Sequence, residues 1–437
     1  MGARETALNA LIACRKDAAW SNGVLKEYIR RDRLDSRDAA LATRLCYGVI
    51  QNRMKLDFYL EQLLNRSGKL HPVVRDILHL GLYQLLEMDK IPDAAAVNES
   101  VSLTRRYCPG QKNAPGLVNA VLRRCAGSRD SLKEPDSLAV RYSHPENLVA
   151  LLRSYVGEER LEPMLRANNS APRTVVQVNT LKISGEALIA RLAEDHVTAR
   201  PHSWMPDCLI LESTGDLENL PAFRDGLFYV QDPAARLSVL CAELPDTGAR
   251  VVDCCAAPGG KTFAAAIAMG GRGEIFSSDL YEHRTGLIRL GAERLGLAHI
   301  HVSQRDASLE EPRWAEQMDG VIVDVPCSGY GIIRKKPDIR FKDPDTMKEL
   351  PGLQLGILNA QARMVKPGGV LIYSTCTLVR RENEGVVEKF LKANPDFRLE
   401  PLPLPEPFPK NETGMLALVP GQYDTDGFFI ARLRRNL

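Results

Sequence analysis

The sequence predicts a multidomain protein of the α and α/β class, in which an all-α bundle is followed by a small α+β module and a doubly wound α/β domain. Two patterns predict this order. Apolar residues recur every three or four positions in the first part, whereas short apolar runs alternate with helical patterns in the last part. The expected boundaries are 1–128, 129–240 and 241–437, and 437 residues suffice for several separate cores.

The helical period of the first part predicts a bundle of six or seven short helices. Leu41, Leu45 and Val49 show this period, and it continues through residues 56–63, 74–86 and 117–125. Residues that break helices separate these runs: Gly68, Pro72, Pro92, Pro109, Gly110 and Pro115.

Positive charge is concentrated in this bundle. Residues 1–128 carry 20 Lys and Arg against 13 Asp and Glu, a net of +7, and because the whole chain carries +2 the remainder carries −5. Such a surface suits a polyanionic partner, although a solvated helical surface would explain it equally well. Three arginine pairs near helix ends could contact phosphates: Arg30-Arg31, Arg105-Arg106 and Arg123-Arg124.

The middle part begins with a polar stretch and a helix start at Ser143-His144-Pro145, after which two short helices are expected. A strand, a helix and two strands then predict a small α+β module. Their expected positions are 174–178, 185–193, 208–211 and 227–230.

In the last part, five apolar strands alternate with helical patterns, which is typical of a parallel sheet. A further pair of strands has no helix between its members and predicts a terminal hairpin. The five strands are Val251–Asp253, Glu274–Ser278, Ile300–Val302, Gly320–Val323 and Gly369–Ser374, and the hairpin strands are Leu416–Val419 and Phe428–Leu433.

Two cysteines follow strands of this domain. Cys327 lies in Asp324-Val325-Pro326-Cys327-Ser328-Gly329, and Cys376 lies in Ser374-Thr375-Cys376-Thr377. Because ligands bind at the carboxyl ends of parallel strands, both thiols are expected in one crevice. A single cysteine is more often a small buried hydrophobic residue, but two at neighbouring strand ends favour chemistry.

A glycine turn follows the first strand of the same domain and predicts a nucleotide-like cofactor. It comprises Cys255, Ala256, Ala257, Pro258, Gly259, Gly260 and Lys261. A P-loop would need glycine at position 255, and proline lacks the N–H that a phosphate cradle uses. The glycine spacing of NAD-binding turns is also absent.

Acidic residues at successive strand ends strengthen this prediction. Asp279 follows the second strand about 20 residues after the turn, where a carboxylate typically accepts hydrogen bonds from ribose hydroxyls. Asp306 follows the third strand, where it could lie beside an adenine edge, and Asp324 follows the fourth. Each alone is often only a helix cap, but three in register behind a glycine turn favour an adenosine cofactor.

The composition excludes other classes. The chain lacks an apolar run of about 18 residues and an apolar N-terminal core, so neither a membrane span nor a secretory signal is expected. Its ten cysteines include no Cys-x-x-Cys pair, which argues against a zinc site and against a disulfide framework. We expect a cytoplasmic monomer with reduced thiols and no metal.

Three segments resemble the motifs of RNA (cytosine-5)-methyltransferases, the family that includes the Nop2/Sun enzymes: Cys255–Lys261, Asp324–Gly329 and Ser374–Thr377. The first part is similar to the NusB-type RNA-binding domain, notably at Val97-Asn98-Glu99 and in residues 116–124. Residues 142–145 and 230–233 also resemble family segments. One departure is Cys254, where the family more often has an aliphatic residue.

The resemblance implies a NusB-like bundle, a small module of RNA-binding type and a Rossmann-like seven-stranded S-adenosylmethionine-dependent methyltransferase domain. It implies S-adenosylmethionine as cofactor and 16S rRNA as partner, because this fusion is typical of the bacterial 16S rRNA enzymes of the family. A tRNA-directed enzyme is the closer alternative. A non-catalytic RNA-binding adaptor is disfavoured, because Asp324, Cys327 and Cys376 are all present.

The roles of the two cysteines rest on the resemblance as well. It implies that Cys376 attacks C6 of cytosine and that Cys327 assists breakdown of the adduct, whereas DNA cytosine methyltransferases use the cysteine of the Pro-Cys motif as nucleophile. Asp324 suits the charge that develops near N3. Residues 334–340 are expected to hold the RNA backbone around a flipped base, the alternative being a solvated loop.

Overall fold

The computed structural model describes residues 1–17, 21–64, 69–246 and 248–437. The chain forms two compact units, which we call the helical unit (residues 1–170 and 333–342) and the α/β unit (residues 171–332 and 343–437). The predicted helix breaker Gly68 lies outside the described residues. The three-part division of the sequence at 128 and 240 stays a prediction.

The helical unit contains ten described α-helices. The first seven confirm the predicted bundle, and Pro72 occupies the first turn of α5, where its missing N–H is harmless. The helices are α1 (Ala3–Asp17), α2 (Ser21–Arg31), α3 (Ser36–Gln51), α4 (Arg53–Leu63), α5 (Pro72–Glu87), α6 (Asp93–Tyr107), α7 (Ala114–Ser128), α8 (Leu138–Arg141), α9 (Glu146–Val156) and α10 (Glu158–Asn169).

Helix α5 lies in the core of this unit, and two small residues allow its neighbours to approach closely. A Cβ at Gly48 of α3 would lie 2.0 Å from the ring of Tyr83, and one at Gly81 would lie 2.5 Å from the side chain of Leu122. Larger residues at either position would force these helices apart, which explains why glycine is tolerated inside them.

The segment 333–342 belongs to the helical unit although it follows the Cys327 loop in sequence. Its Arg340 is fully buried, and the guanidinium donates to the carbonyl oxygen of Gln51 and to Oδ1 of Asn169, both at 2.8 Å. The prediction that this whole segment holds an RNA backbone is therefore wrong for Arg340, because a fully buried guanidinium bonded to protein oxygens cannot contact a phosphate.

The first sheet of the α/β unit has four antiparallel strands in the order β2-β3-β1-β4. It confirms the predicted module and adds β2, a short and largely exposed strand that shows no apolar alternation. The elements are β1 (Thr174–Val178), α11 (Gly185–Glu194), β2 (Thr198–Pro201), β3 (Cys208–Glu212), α12 (Pro221–Arg224) and β4 (Phe228–Val230).

The second sheet has the order β10-β12-β9-β8-β5-β6-β7, and an eighth strand, β11, pairs with β12. Strands β5 to β9 are parallel, as predicted, whereas β10, β11 and β12 are antiparallel to their partners. The strands are β5 (Arg250–Cys254), β6 (Glu274–Asp279), β7 (Ile300–Gln304), β8 (Met318–Asp324), β9 (Val365–Thr375), β10 (Phe397–Leu399), β11 (Met415–Leu418) and β12 (Phe428–Arg435).

Helices connect these strands and cover the sheet. Apolar residues of β5, β8 and β9 form the buried centre, which explains why these strands appear in the sequence as continuous apolar runs. The helices are α13 (Pro233–Leu240), α14 (Gly260–Ala268), α15 (Glu282–Leu295), α16 (Leu350–Ala362) and α17 (Glu384–Ala393). Among the described helices, none is long and apolar enough to cross a membrane.

Candidate active site

The two cysteines singled out in the sequence lie together at the carboxyl ends of β8 and β9. These strands are parallel neighbours in which Asp324 pairs with Ser374, so their ends are level. The Sγ atoms of Cys327 and Cys376 are 3.2 Å apart, and both thiols are free and half-buried. A disulfide would need about 2.05 Å, so the sulfurs are in contact without being bonded.

The contact between the thiols affects the protonation of Cys327. The hydrogen bond with Cys376, and then burial, raise the pKa of Cys327 well above its usual value. A thiol with such a pKa keeps its proton at neutral pH, so Cys327 holds a proton beside the other sulfur.

A buried carboxylate holds the Cys327 loop in place. Oε2 of Glu382, which is fully buried, accepts hydrogen bonds from the amide of Ser328 at 2.9 Å and from Nε2 of Gln354 at 3.0 Å. Gln354 also donates to the carbonyl oxygen of Pro326, and the hydroxyls of Ser328 and Thr377 are 2.7 Å apart. These bonds fix the residues on both sides of Cys327 and join its loop to that of Cys376.

Three main-chain segments, at Gly331, Cys376 and Gly427, approach closely beside the two thiols. The amide of Gly331 donates to the carbonyl oxygen of Cys376 at 2.9 Å, and the amide of Gly427 donates to that of Gly331 at 2.8 Å. A Cβ at Gly331 would lie 2.0 Å from the oxygen of Gly427. Only glycine therefore fits at this position, four residues after Cys327.

Asp324 is held by a cation and a hydroxyl. Nζ of Lys261 lies 2.6 Å from Oδ2, and the Ser374 hydroxyl donates to Oδ1 at 2.8 Å. Burial alone would lower the pKa of Lys261, but the neighbouring Asp324 carboxylate outweighs burial and raises it. Lys261 thus stays cationic and orients the carboxylate at the end of β8.

The predicted glycine turn connects β5 to α14. Cys255 and Gly259 have φ values of 57° and 112°, and Gly259 precedes the first turn of α14. A Cβ at Gly259 would lie 2.4 Å from the Phe263 ring. The amide of Ala256 donates to the carbonyl oxygen of Ser278 at 2.9 Å, so the turn is fastened to the end of β6.

Asp279 lies beside this turn at the end of β6 and is 2% exposed. Its carboxylate accepts from the amides of Ala257 at 3.2 Å and Tyr281 at 3.4 Å, and Nη1 of Arg284 lies 3.3 Å away. All three contacts are long for charge-assisted bonds, so the carboxylate retains capacity for shorter ones.

Asp306 and Asp253 complete the acidic set. Asp306 is exposed and Oδ1 accepts from the amide and the hydroxyl of Ser308, which lowers its pKa. Asp253, at the end of β5, is fully buried; Oδ2 accepts from the Thr262 hydroxyl at 2.6 Å, and Oδ1 has no partner. Burial raises the pKa of Asp253 to about 7.

The residues around the turn fit an adenosyl cofactor. Gly259 and Gly260 have no side chains to block the main chain of the turn, Asp279 offers acceptor capacity, and the side chains of Leu280 and Tyr281 are 46% and 53% exposed. Apolar surface beside a carboxylate suits a nucleoside, whose base is flat and whose ribose carries hydroxyls. Within the described residues, no cluster of three or more His, Cys, Asp or Glu could hold a metal ion.

The structure brings together Asp324, Cys327 and Cys376, and it places the turn with Asp279 and Asp306 at neighbouring strand ends. Sequence reasoning missed Glu382 and Gln354. The acidic run Glu382-Asn383-Glu384, six residues after Cys376, was an available signal. Gln354 lies inside α16 and carries no sequence signal, because only the fold brings it to the Cys327 loop.

Comparisons with known proteins agree with this geometry. Residues 241–434 match the model of the 16S rRNA methyltransferase RsmB/F family, residues 1–127 match the NusB family, and residues 144–218 match the ferredoxin-like domain of RsmF/B-like methyltransferases. A probable ribosomal RNA small subunit methyltransferase B of Bacillus subtilis is 36% identical over 445 residues, which is 99% of this chain and 98% of the relative.

Solved structures show the same fold. The crystal structure of PH0851 matches with a TM-score of 0.81 at 25% identity and covers 100% of this chain and 99% of that one. NSun6 from Pyrococcus horikoshii with SFG matches with a TM-score of 0.59 at 21% identity, over 67% of this chain and 98% of that one. The identity to the Bacillus relative extends over nearly both whole chains, and this chain therefore belongs to the RsmB/F family of 16S rRNA methyltransferases.

Proposed function

We propose that the protein methylates C5 of a specific cytosine of 16S rRNA, the one at position 967, through a covalent bond between Cys376 and C6. The observation that carries this proposal is the contact of 3.2 Å between two free thiols at the ends of neighbouring strands. One thiol alone would serve as a nucleophile. A second thiol that keeps its proton supplies a group for the later steps.

Covalent catalysis explains why a thiol is needed. Cytosine C5 is a poor nucleophile, but attack of the Cys376 thiolate on C6 forms an S–C6 bond and shifts the electron pair of the C5–C6 double bond towards C5. As negative charge develops at N3, the Asp324 carboxyl group transfers a proton to N3, and Lys261 and Ser374 stabilise the carboxylate that remains. S-adenosylmethionine supplies the methyl group when it is bound.

The reaction ends when solvent water accepts the C5 proton, the electron pair of the C5–H bond restores the double bond, and the Cys376–C6 bond breaks. Cys327 assists this expulsion, because its thiol touches the departing sulfur and its raised pKa keeps a proton available there. The Glu382 network holds Cys327 in this position.

The cofactor assignment is supported by the glycine turn and by Asp279. The two glycines allow a ligand to approach the main chain of the turn, and the buried Asp279 carboxylate accepts from the ribose hydroxyls. Arg284 bridges Asp279 and the carbonyl oxygen of Ala257, so it orients both. The related NSun6 structure contains SFG, an analogue of S-adenosylmethionine.

The substrate assignment follows the family and the charge of the helical unit. One arginine of each pair is engaged within the unit: Arg31 with Asp32, Arg106 with Glu5 and Arg124 with the carbonyl oxygen of Leu63. Their neighbours Arg30, Arg105 and Arg123 are exposed and are the better candidates for phosphates. We place the enzyme in the cytoplasm as a monomer, where its ten thiols stay reduced.

The nucleophile assignment is tested by incubating two cysteine variants with RNA and S-adenosylmethionine and measuring both methylation and the covalent protein–RNA adduct. We expect Cys376→Ala to abolish methylation and to form no covalent adduct with RNA, because the attacking sulfur is gone. Cys327→Ala should accumulate a protein–RNA adduct that survives denaturing electrophoresis, because expulsion is impaired. Cys108→Ala, in the helical unit, is the matched control and should keep methylation.

Two outcomes would contradict the proposal in different ways. An adduct that requires Cys327 and not Cys376 would reverse the roles of the cysteines. Bisulfite sequencing of rRNA and tRNA from a strain lacking the gene decides the substrate: loss of a methylated cytosine in 16S rRNA is expected, whereas a loss confined to tRNA would overturn the rRNA assignment.

A further inference from the structure

The helical unit contains a cavity that no part of the proposed reaction uses. Its volume is about 460 Å³, within the range of ligand pockets. Residues of α1, α3 and α5 line it, together with Arg53 at the start of α4 and Leu70. The segment 338–342 completes its wall through Asp338, Phe341 and Lys342.

Part of the lining of this cavity is aliphatic, and part of it is an aromatic ring. Leu11, Val49 and Ile50 contribute aliphatic side chains. The Arg53 guanidinium lies 5.3 Å from the centre of the Phe341 ring. Because the guanidinium lies over the ring and both groups line the cavity, the cavity presents a stacked pair of a planar cation and an aromatic ring to whatever occupies it.

The residues that line the cavity carry more positive than negative charge. Four cations line the cavity: Arg15, Arg53, Arg75 and Lys342. Both carboxylates and two of the cations already have partners: Arg15 pairs with Asp76 and Arg75 with Asp57, each at 2.9 Å, and Asp338 accepts from Ser21. The four cations still outnumber the two carboxylates of the lining. An anionic ligand is therefore favoured over a cationic one.

We propose that this cavity binds an unpaired nucleotide of the substrate RNA. The base packs against the Phe341 ring and the Arg53 guanidinium, and the adjoining phosphates contact Arg15, Arg75 and Lys342. Bases of single-stranded RNA are recognised by stacking on aromatic rings and guanidinium planes, and phosphates by cations. This inference rests on the proposed function, which supplies the RNA.

The cavity is built from two parts of the chain that are far apart in sequence. Residues 1–127 match the NusB family, but they do not complete the site, because Asp338, Phe341 and Lys342 come from the region that matches the methyltransferase. An acidic protein segment would also satisfy the cations. It would not need a flat ring beside a guanidinium, and for this reason RNA is favoured.

The test uses the full chain, fluorescence anisotropy and a 16S rRNA fragment that contains the target. Phe341→Leu keeps an apolar side chain but loses the ring, and should weaken binding by roughly 5- to 100-fold, the range for one stacked base. It should leave the dependence on salt unchanged. Arg53→Ala should weaken binding too, whereas Arg75→Ala should also lower the salt slope by about one because a phosphate contact is lost.

Controls separate this site from a general loss of structure. Arg160→Ala removes an exposed arginine of the same unit outside the cavity and should bind the fragment like the wild type. Phe341→Tyr retains a ring and should restore affinity, and thermal melts of all variants report their folding. S-adenosylmethionine binding, measured by calorimetry, should be unchanged in each variant.

Replacing single nucleotides of the fragment by abasic sites identifies the bound base. One abasic position should weaken wild-type binding, and the same position should cause no further loss in Phe341→Leu, since the two changes remove one interaction. If Phe341→Leu binds every fragment like the wild type, or if no position is coupled to Phe341, the nucleotide site is wrong. The proposed methylation is judged separately, by the cysteine variants.

Discussion

The two units bury charge in different ways. In the helical unit, Arg340 is fully buried and its guanidinium is bonded by oxygens of the uncharged residues Gln51, Ser143, Asn168 and Asn169. The α/β unit instead buries carboxylates at strand ends. Asp253, Asp279 and Glu382 are all at most 2% exposed.

Arg340 acts as an anchor, by which we mean a buried charge that only holds the fold together, whereas the buried carboxylates can still bind a ligand. Neutral oxygens accept hydrogen bonds from all three nitrogens of the Arg340 guanidinium, so this cation fixes the segment 333–342 within the helical unit. The buried carboxylates keep unused acceptor capacity: Asp253 Oδ1 and Glu382 Oε1 have no hydrogen-bond partner. Carboxylates with spare capacity at strand ends are typical of ligand sites.

The largest expected effect comes from removing the anchor. Arg340→Met leaves several buried carbonyl groups without donors, and we expect the free energy of unfolding to fall by about 3–5 kcal/mol. Lys336→Met, an exposed position of the same segment, is the matched control and should change it by less than about 0.5 kcal/mol. Urea unfolding measures both. Equal effects in the two variants would show that Arg340 is not an anchor.

Asp253 should make stability depend on pH in the opposite sense to an ordinary carboxylate. Because burial raises its pKa from 3.8 to about 7, the folded state binds more protons than the unfolded state between these values. The free energy of unfolding should therefore fall as pH rises from 4 to 8, by about 4 kcal/mol. Asp253→Asn cannot ionise and should remove this fall.

Asp306 is the control for this pH dependence. Its pKa is lowered by Ser308, so its contribution to stability is present above the unfolded pKa near 3.8 and is lost only when pH falls below that value. Asp306→Asn should thus leave the curve between pH 4 and 8 parallel to that of the wild type. If Asp253→Asn also runs parallel, Asp253 is not the titrating group.

Much of the fold could be predicted because its signals are local. The central parallel strands β5, β8 and β9 are buried on both faces and appear as apolar runs, and the helices of the bundle show their period directly. Strand β2 was missed since its residues are mostly exposed, and β10 since it is short and has an exposed arginine at its centre. Nothing local marks 333–342 as part of the helical unit, because the partners of Arg340 lie more than 170 residues away in sequence.

The same limit applies to the site. Residues at strand ends could be predicted, since parallel strands deliver their carboxyl ends to one edge, and the structure brings Cys327 and Cys376 into contact there. The supports of these residues come from other elements, such as Gln354 in α16 and Ser374 facing Asp324. Their roles depend on hydrogen bonds across the fold, which no spacing in the sequence encodes.

The smallest expected effect is that of replacing Asp279. This change tests cofactor binding separately from the chemical steps. Asp279→Ala should weaken S-adenosylmethionine binding by roughly 1–3 kcal/mol, the usual cost of losing a charge-assisted hydrogen bond. Asp279→Asn keeps one acceptor oxygen and should lose less, whereas Cys376→Ala should keep nearly the wild-type affinity, because the thiol acts on the base. Calorimetry with the cofactor alone measures all three. Tight binding by Asp279→Ala would show that this buried carboxylate, like Arg340, only holds the fold together. Asp279 would then not differ in role from Arg340, and the cofactor assignment that depends on it would be wrong.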